Sequence, residues 1–199
     1  MNQTPRLESI MNAKLTPFLF GFVGWYALWT LQLQLTFLDY AMGVSLAFLP
    51  AGIRTLAVLI FGLRGAIGVF AGATLTTIEY MGHVAGMDLF KVLLIAAASA
   101  FSAYLMMQLV CWWRKIGTNL DELTFSDLLL VVFSQGLLSS TLHQTIFALN
   151  PIDGLYEHPT WAETFRIWSA MAAGDIVGSM ILMLSAVGLV NLSHKARRS

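Results

Sequence analysis

The chain has 199 residues, of which 57% are hydrophobic and 11% are charged, and its formal net charge is zero. An ordinary soluble domain carries roughly 25% charged residues, so this composition excludes that class. A zero net charge provides no basic field, and no nucleic-acid partner is expected. The single cysteine, Cys111, excludes an internal disulfide.

The apolar residues come in runs of about twenty, the length that a helix needs to cross a bilayer. In chain order they predict an all-α polytopic membrane bundle of six transmembrane helices, forming a single integral membrane domain over residues 1–199 with no soluble domain. The predicted spans are residues 15–37, 41–61, 66–80, 89–113, 125–149 and 165–192.

The distribution of basic residues orients the bundle. If the N-terminus is cytoplasmic, nine of the eleven lysines and arginines fall in segments on the cytoplasmic side, leaving Lys91 and Arg166 toward the outer ends. Basic residues accumulate on the cytoplasmic side of membrane proteins. We therefore expect both termini to be cytoplasmic.

Two stretches place an ionisable residue beside glycine within an apolar segment: Arg54 in residues 49–54 and Asp175 in residues 173–178. From the predicted outer ends of helices 2 and 6, both lie at depths of about 20 Å at 1.5 Å of rise per residue. Charges at that depth are stable when paired, so we predict an ion pair between Arg54 and Asp175. The alternative is that Arg54 extends to the inner headgroups.

Pro50 and Gly52 lie just before Arg54 and are predicted to interrupt helix 2. Proline removes a backbone donor and clashes with the preceding turn, and the freed carbonyls of broken membrane helices often form ligand or ion sites. The alternative is a structural kink whose carbonyls are satisfied by neighbouring helices.

Small residues predict close helix packing. Gly68 and Gly72 form a G-x-x-x-G motif in helix 3, and Gly174 and Gly178 repeat that spacing in helix 6. Such residues let helix backbones approach each other in a membrane. Packing within one bundle is favoured over a dedicated dimer motif.

Polar residues give helix 5 a distinct side that begins at Gln135 and continues through His143. They could line an outward-open pocket with Trp25, Trp29 or Tyr26 as walls, or each could form an interhelical hydrogen bond. The serines on this helix are Ser134, Ser139 and Ser140.

No catalytic motif is present, so we expect no enzyme activity, no catalytic residue and no cofactor. Glu79, His83 and His143 are the candidates for a metal site, but their spacing carries no metal-binding signature. No metal is therefore expected.

Residues 45–76 contain a Pro-Ala-Gly, then an apolar run, then a glycine with a basic residue, and finally a glycine-containing helix. A Gly-Asp-x-x-Gly occurs within residues 172–178. Together they resemble the MASE1 family of bacterial membrane-associated sensor domains. The matching residues are Pro50, Ala51, Gly52, Gly62, Arg64, Gly68, Gly72, Gly174, Asp175 and Gly178. Arg54 departs from the apolar residue that usually follows the family's Pro-Ala-Gly.

The resemblance implies a sensor or ligand-binding module in the bacterial plasma (inner) membrane, surrounded by the lipid bilayer. Such a module would pass its signal to a separate membrane or cytoplasmic signalling partner. The alternative is a small-molecule transport component, because six helices in about 200 residues are also similar to the substrate-binding subunits of energy-coupling-factor transporters. In either case, we expect the functional site to lie at the contact between helices 2, 3 and 6. The candidate site residues are those of the ion pair together with Pro50, Gly52, Gly68, Gly72, Gln135, His143 and Gly178.

Overall fold

The computed structural model describes residues 4–41, 44–82, 87–117, 120, 122–149 and 160–196, with side chains described between residues 15 and 189. Those residues form a bundle of six α-helices and one two-stranded hairpin. The elements are α1 (Thr4–Gln32), β1 (Asp39–Ala41), β2 (Val44–Ser45), α2 (Leu49–Phe61), α3 (Leu63–Met81), α4 (Leu89–Arg114), α5 (Phe125–Leu149) and α6 (Trp161–Ala196). We call the end where α1, α3 and α5 finish and α2, α4 and α6 begin the upper end.

Three segments of the described chain are long and apolar enough to cross a membrane: Leu89–Arg114, Phe125–Leu149 and Trp161–Leu189. The helix α2 is apolar but has only 13 residues. At 1.5 Å per residue its length is about 20 Å, less than the roughly 30 Å of a hydrocarbon core.

The predicted helix over residues 41–61 was wrong in its first third. A short 3-10 turn, Thr36–Leu38, leads into the antiparallel pair β1–β2, in which Asp39 pairs with Ser45. The chain then runs along α6, where the Phe48 N–H donates to the carbonyl of Gly174 at 2.9 Å. Apolar composition cannot distinguish such a buried irregular segment from a helix, because both are shielded from water.

Pro50 lies in the first turn of α2 and not in the middle of a helix. A proline there interrupts no helical hydrogen bond, because the N–H groups of the first turn have no intrahelical partner. The predicted kink at Pro50 and Gly52 was therefore wrong, and the break in the span lies in the hairpin that precedes them.

A single residue, Gly62, connects α2 to α3. Its φ of 59° lies in the left-handed region, which glycine adopts without steric cost. This sharp connection lets α3 begin at Leu63, earlier than the predicted start at residue 66.

The N-termini of α5 and α6 are fixed by capping boxes, in which a threonine and an acidic residue three positions later bond to each other's backbone N–H groups. Thr124 pairs with Asp127 at the start of α5, where the predicted boundary agrees with the structure. Thr160 pairs in the same way with Glu163, so α6 begins at Trp161 and not at residue 165.

The first span also differs from its prediction of residues 15–37. The helix α1 begins at Thr4 and ends at Gln32, and tight turns follow it, including a bond from the Gln34 N–H to the carbonyl of Leu31 at 3.0 Å. The end of this span therefore belongs to the connection that leads into the hairpin.

Glycines bring the backbones together at two seams. A Cβ at Gly68 would overlap the carbonyl of Phe18, where α3 crosses α1. A Cβ at Gly178 would overlap the carbonyl of Phe48, where α6 meets the start of α2. Both seams depend on the absence of a side chain, as is common where membrane helices pack closely.

We expect Gly178→Ala to destabilise the protein by about 1–3 kcal/mol, because the added methyl group must displace the Phe48 backbone. Gly188→Ala in the same helix is the matched control, since nothing lies within 4 Å of its added Cβ. Thermal unfolding in detergent, followed by tryptophan fluorescence, should show a lower Tm only for Gly178→Ala. Equal Tm values for the two variants would contradict the predicted seam.

Candidate functional site

A buried ion pair lies at the centre of the bundle. Nη2 of Arg54 is 2.9 Å from Oδ2 of Asp175, and the side chains are 1% and 4% exposed. Arg54 is on α2 and Asp175 is on α6, as the sequence predicted for this pair. The contact links α2, which follows the hairpin, to α6, the longest helix among the described residues.

The remaining contacts of Arg54 reach two further helices. Its Nη1 donates to the carbonyl of Ser99 on α4 at 2.9 Å and to Oγ of Ser139 on α5 at 3.1 Å. One guanidinium therefore connects α2, α4, α5 and α6. Its Nε is buried and finds no acceptor among the described residues.

His143 joins this cluster from the next turn of α5. Its Nδ1 lies 2.8 Å from the carbonyl of Ser139, and its Nε2 lies 3.2 Å from the hydroxyl of Ser99. A carbonyl only accepts, so Nδ1 carries a proton, and in the neutral ring Nε2 accepts from Ser99. The two serines thus each bond to both Arg54 and His143. We call Arg54, Asp175, Ser99, Ser139 and His143 the polar cluster.

A second polar layer lies on the side of the cluster away from the upper end. Nε2 of Gln135 on α5 donates to Oγ1 of Thr55 on α2 and to Oγ of Ser179 on α6, the latter at 2.9 Å. These residues are all fully buried. This layer holds helices together, and Gln135 does not line the cavity described next.

A cavity of about 70 Å³ lies between the polar cluster and the upper end. All five residues of the polar cluster line it. Aromatic side chains form much of its wall, and its other lining residues are aliphatic, hydroxyl-bearing or methionine. The lining aromatic residues are Trp25, Trp29, Phe48, Tyr80 and Phe147.

The aromatic walls stand at steep angles to one another. Trp29 packs edge to face against Phe48 at 5.8 Å and against Tyr80 at 5.6 Å, with interplanar angles of 83° and 81°. Trp25 is held by a 3.0 Å hydrogen bond from its Nε1 to Thr76. These edge-to-face pairs are favourable geometries for aromatic side chains, so the contacts stabilise the arrangement of the wall.

The structure brings Arg54, His143 and Asp175 together at one cavity, with Trp25 and Trp29 as walls. Tyr26 was wrongly proposed as a wall, because its side chain is exposed and does not line the cavity. Arg54 and Asp175 do lie at one level, but the helical residues counted before Arg54 were wrong, because it is only the sixth residue of α2. The pair meets because the hairpin carries the start of α2 down along α6.

The other candidate residues occupy packing positions. A Cβ at Gly52 would lie 2.5 Å from Cβ of Leu182, and one at Gly72 would lie 3.1 Å from Cβ of Trp25. Pro50 is buried in the first turn of α2, and Gly68 and Gly178 form the seams described above. None of these five residues lines the cavity.

The expected working contact between helices 2, 3 and 6 was therefore only partly correct. The polar cluster joins α2 and α6 to α4 and α5, while α3 contributes Thr76, Thr77, Tyr80 and Met81 to the wall. Ser99 was missed because a serine in an alanine-rich helix resembles a packing residue, and because its carbonyl contacts Arg54. Every residue has a backbone carbonyl, so residue identity does not indicate which carbonyl accepts a hydrogen bond from Arg54.

Among the described residues, no group of three His, Cys, Asp or Glu side chains is placed to hold a metal ion. Glu79 is exposed at the end of α3, and His83 lies outside the described residues. A larger cavity of about 430 Å³ occurs at the opposite end, between α2, α4 and the residues Ile116, Gly117 and Leu120. Its described lining is mainly apolar and lacks charged groups, so it has fewer groups that could bind a polar ligand than the cavity above the polar cluster.

A scan against protein-family models, a search of curated proteins and a search of solved structures each find no match. The functional assignment therefore rests on the residues and geometry of this chain.

We expect Arg54→Ala and Asp175→Ala each to destabilise the bundle by about 3–5 kcal/mol, because each leaves one buried charge without its partner. Exchanging the two residues, with Arg54→Asp and Asp175→Arg combined, should recover part of the loss. The readout is the yield of monodisperse protein after detergent extraction, and its Tm. Arg64→Ala, which removes an exposed arginine near the start of α3, is the control and should behave as wild type.

Wild-type yield and Tm in both single alanine variants would contradict a structural ion pair. A double exchange no better than the worse single variant would show that the orientation of the pair, and not only its charge balance, is required.

Proposed function

We propose that this chain is a non-catalytic membrane module of the sensor type, similar to MASE1 domains, and that the cavity above the polar cluster binds a small molecule. Binding would be communicated through the helices to a separate membrane or cytoplasmic partner. The observation that carries this proposal is the position of the cavity, whose floor is the ion pair that connects four helices.

The membrane placement is supported by the surface of the bundle. Large apolar side chains on different helices are about half exposed, including Val23 at 56%, Ile60 at 57%, Phe133 at 51% and Leu184 at 55%. Contiguous apolar surface of this kind suits contact with lipid. We propose that six segments cross the bacterial plasma membrane, with the hairpin and α2 together forming the second crossing.

The proposed orientation has both termini in the cytoplasm and the upper end outside. Basic residues of the lower connections, such as Arg64, Arg114 and Lys115, support it under the positive-inside rule. Arg54 no longer counts toward this rule, because it is buried in the ion pair. The cavity would then open toward the outer face, where an external small molecule could reach it.

The polar cluster supplies a physical route from ligand to partner. A ligand shifts a conformational equilibrium only if it interacts differently with the two states. A molecule bonded to Asp175, Ser139 or His143 competes with contacts that hold α5 and α6 against α2. Its binding energy would therefore act directly on the packing of these helices.

The second candidate is a small-molecule transport component, similar to an energy-coupling-factor substrate-binding subunit. The observation that favours it is the discontinuous second crossing, in which irregular backbone at residues 44–48 lines the cavity. Transport sites are often formed where a membrane helix is broken. A partner with ATPase subunits would support this candidate, and a kinase or cyclase partner would support the sensor.

Native mass spectrometry of the protein purified in mild detergent tests the binding proposal. We expect wild type to retain a small molecule and Tyr80→Ala to lose it, because this change removes one aromatic wall. Ile78→Ala, which changes an exposed residue of the same helix, should retain the molecule. Protein without any bound molecule, both as purified and after incubation with a lysate metabolite extract, would contradict the proposal.

A further inference from the structure

We infer that the cavity is selective for a neutral, planar, single-ring molecule whose edge carries a hydrogen-bond donor beside an acceptor, as in a primary amide or lactam. This inference rests on the proposed function of the cavity as a binding site. It is carried by the charge balance of the floor, the pairing of donor and acceptor there, and the shape of the walls.

The floor of the cavity is electrically balanced. Among the described lining residues, Arg54 and Asp175 are the only formally charged groups with a fixed sign, and they neutralise each other at 2.9 Å. A charged ligand must leave water without finding an uncompensated opposite charge, and the desolvation cost of an ion is several kcal/mol at such sites. A neutral ligand avoids that cost.

The floor also presents complementary hydrogen-bonding groups side by side. Arg54 is a donor, and Asp175 is an acceptor of which only Oδ2 is engaged in the hydrogen bonds seen among the described residues. A ligand edge with one acceptor and one donor matches this pattern, whereas an edge of two acceptors or two donors meets one repulsive contact.

The walls and the volume define the body of the ligand. Trp29, Phe48 and Tyr80 present aromatic surfaces at steep angles, against which a flat ring packs by face and by edge. The cavity of about 70 Å³ has room for about five water molecules at 10–15 Å³ each. That space suits one ring with a small head group and excludes a nucleotide or a fused multi-ring cofactor.

Benzamide, benzoate and benzamidinium form a matched set of probes, because they share one ring and a planar head group. Benzamide carries one acceptor and one donor, benzoate carries two acceptors and a negative charge, and benzamidinium carries two donors and a positive charge. Equilibrium dialysis against wild-type protein in lipid nanodiscs should show benzamide binding about tenfold or more tightly than either ion, as expected for a site that penalises a mismatched hydrogen-bonding edge.

The Tyr80→Ala variant locates the binding, with Ile78→Ala as its control. Benzamide affinity should fall at least several-fold in Tyr80→Ala and stay unchanged in Ile78→Ala. If benzoate or benzamidinium binds most tightly and depends on Tyr80, the inferred ligand class is overturned while the proposed binding function stands. If no probe shows binding that depends on Tyr80, the ligand class is also overturned, and retention of a molecule in native mass spectrometry separately decides the proposed function.

Asp175→Asn provides an independent check, because it keeps the shape of the side chain and leaves Arg54 uncompensated. The order of affinities should then change in favour of benzoate. An unchanged preference for benzamide in a folded Asp175→Asn protein would overturn the role given to the floor. If this variant does not fold, the order of the three probes on wild type still decides the inference.

Discussion

The guanidinium of Arg54 is only 1% exposed and must be satisfied largely by protein groups, and the surrounding helices are arranged around that requirement. A buried charge is costly unless a partner and hydrogen bonds compensate for it. Here Asp175 provides the opposite charge, Ser99 a carbonyl and Ser139 a hydroxyl, each from a different helix. The ion pair and hydrogen bonds of this one side chain thereby fix the positions of four helices relative to one another.

The hairpin before α2 makes this arrangement possible. It takes the place of the first turns of the helix predicted over residues 41–61, so that Arg54 enters the bundle near the beginning of a short helix. Irregular backbone at membrane depth is tolerated only where protein surrounds it, and the Phe48 bond to Gly174 meets that condition. The gap left by the absent helical turns is bordered by Val44, Ser45 and Phe48, which also line the cavity. The cavity is thus a consequence of the break before α2, because the residues of that break form part of its wall.

The parts of this structure that depend on composition and periodicity were predictable from the sequence. The all-α class, the bounds of α5 and the partnership of Arg54 with Asp175 follow from apolar runs and from the scarcity of charge within them. The start of α6 could also have been predicted, since Thr160 and Glu163 have the spacing of a capping box. The apolar run alone indicated a later start.

Other parts could not be predicted because residue identity does not carry them. Residues 44–48 are as apolar as a helix, and only their tertiary packing makes them the second strand of the hairpin and an irregular connection to α2. The carbonyl of Ser99 accepts a hydrogen bond from Arg54 because of its position in the fold, and the identity of the side chain does not indicate that position. Tyr80 and Phe147 were missed as walls because aromatic residues near helix ends are equally typical of membrane interfaces.

We propose that the cavity connects the polar cluster to the upper end of the bundle and that this end faces the outside of the cell. Reaction of single cysteines with an impermeant methanethiosulfonate tests it most directly, in intact cells and in a Cys111→Ser background. The charge of the reagent is joined to its neutral reactive group by a long neutral linker, so that the charge can stay outside the cavity. Ser139 and Ser140 are adjacent and both buried, but only Ser139 lines the cavity. The account predicts that Ser139→Cys reacts from outside the cell and Ser140→Cys does not. Equal reactivity of the two positions, or reaction of Ser139→Cys only after the cells are opened, would contradict it.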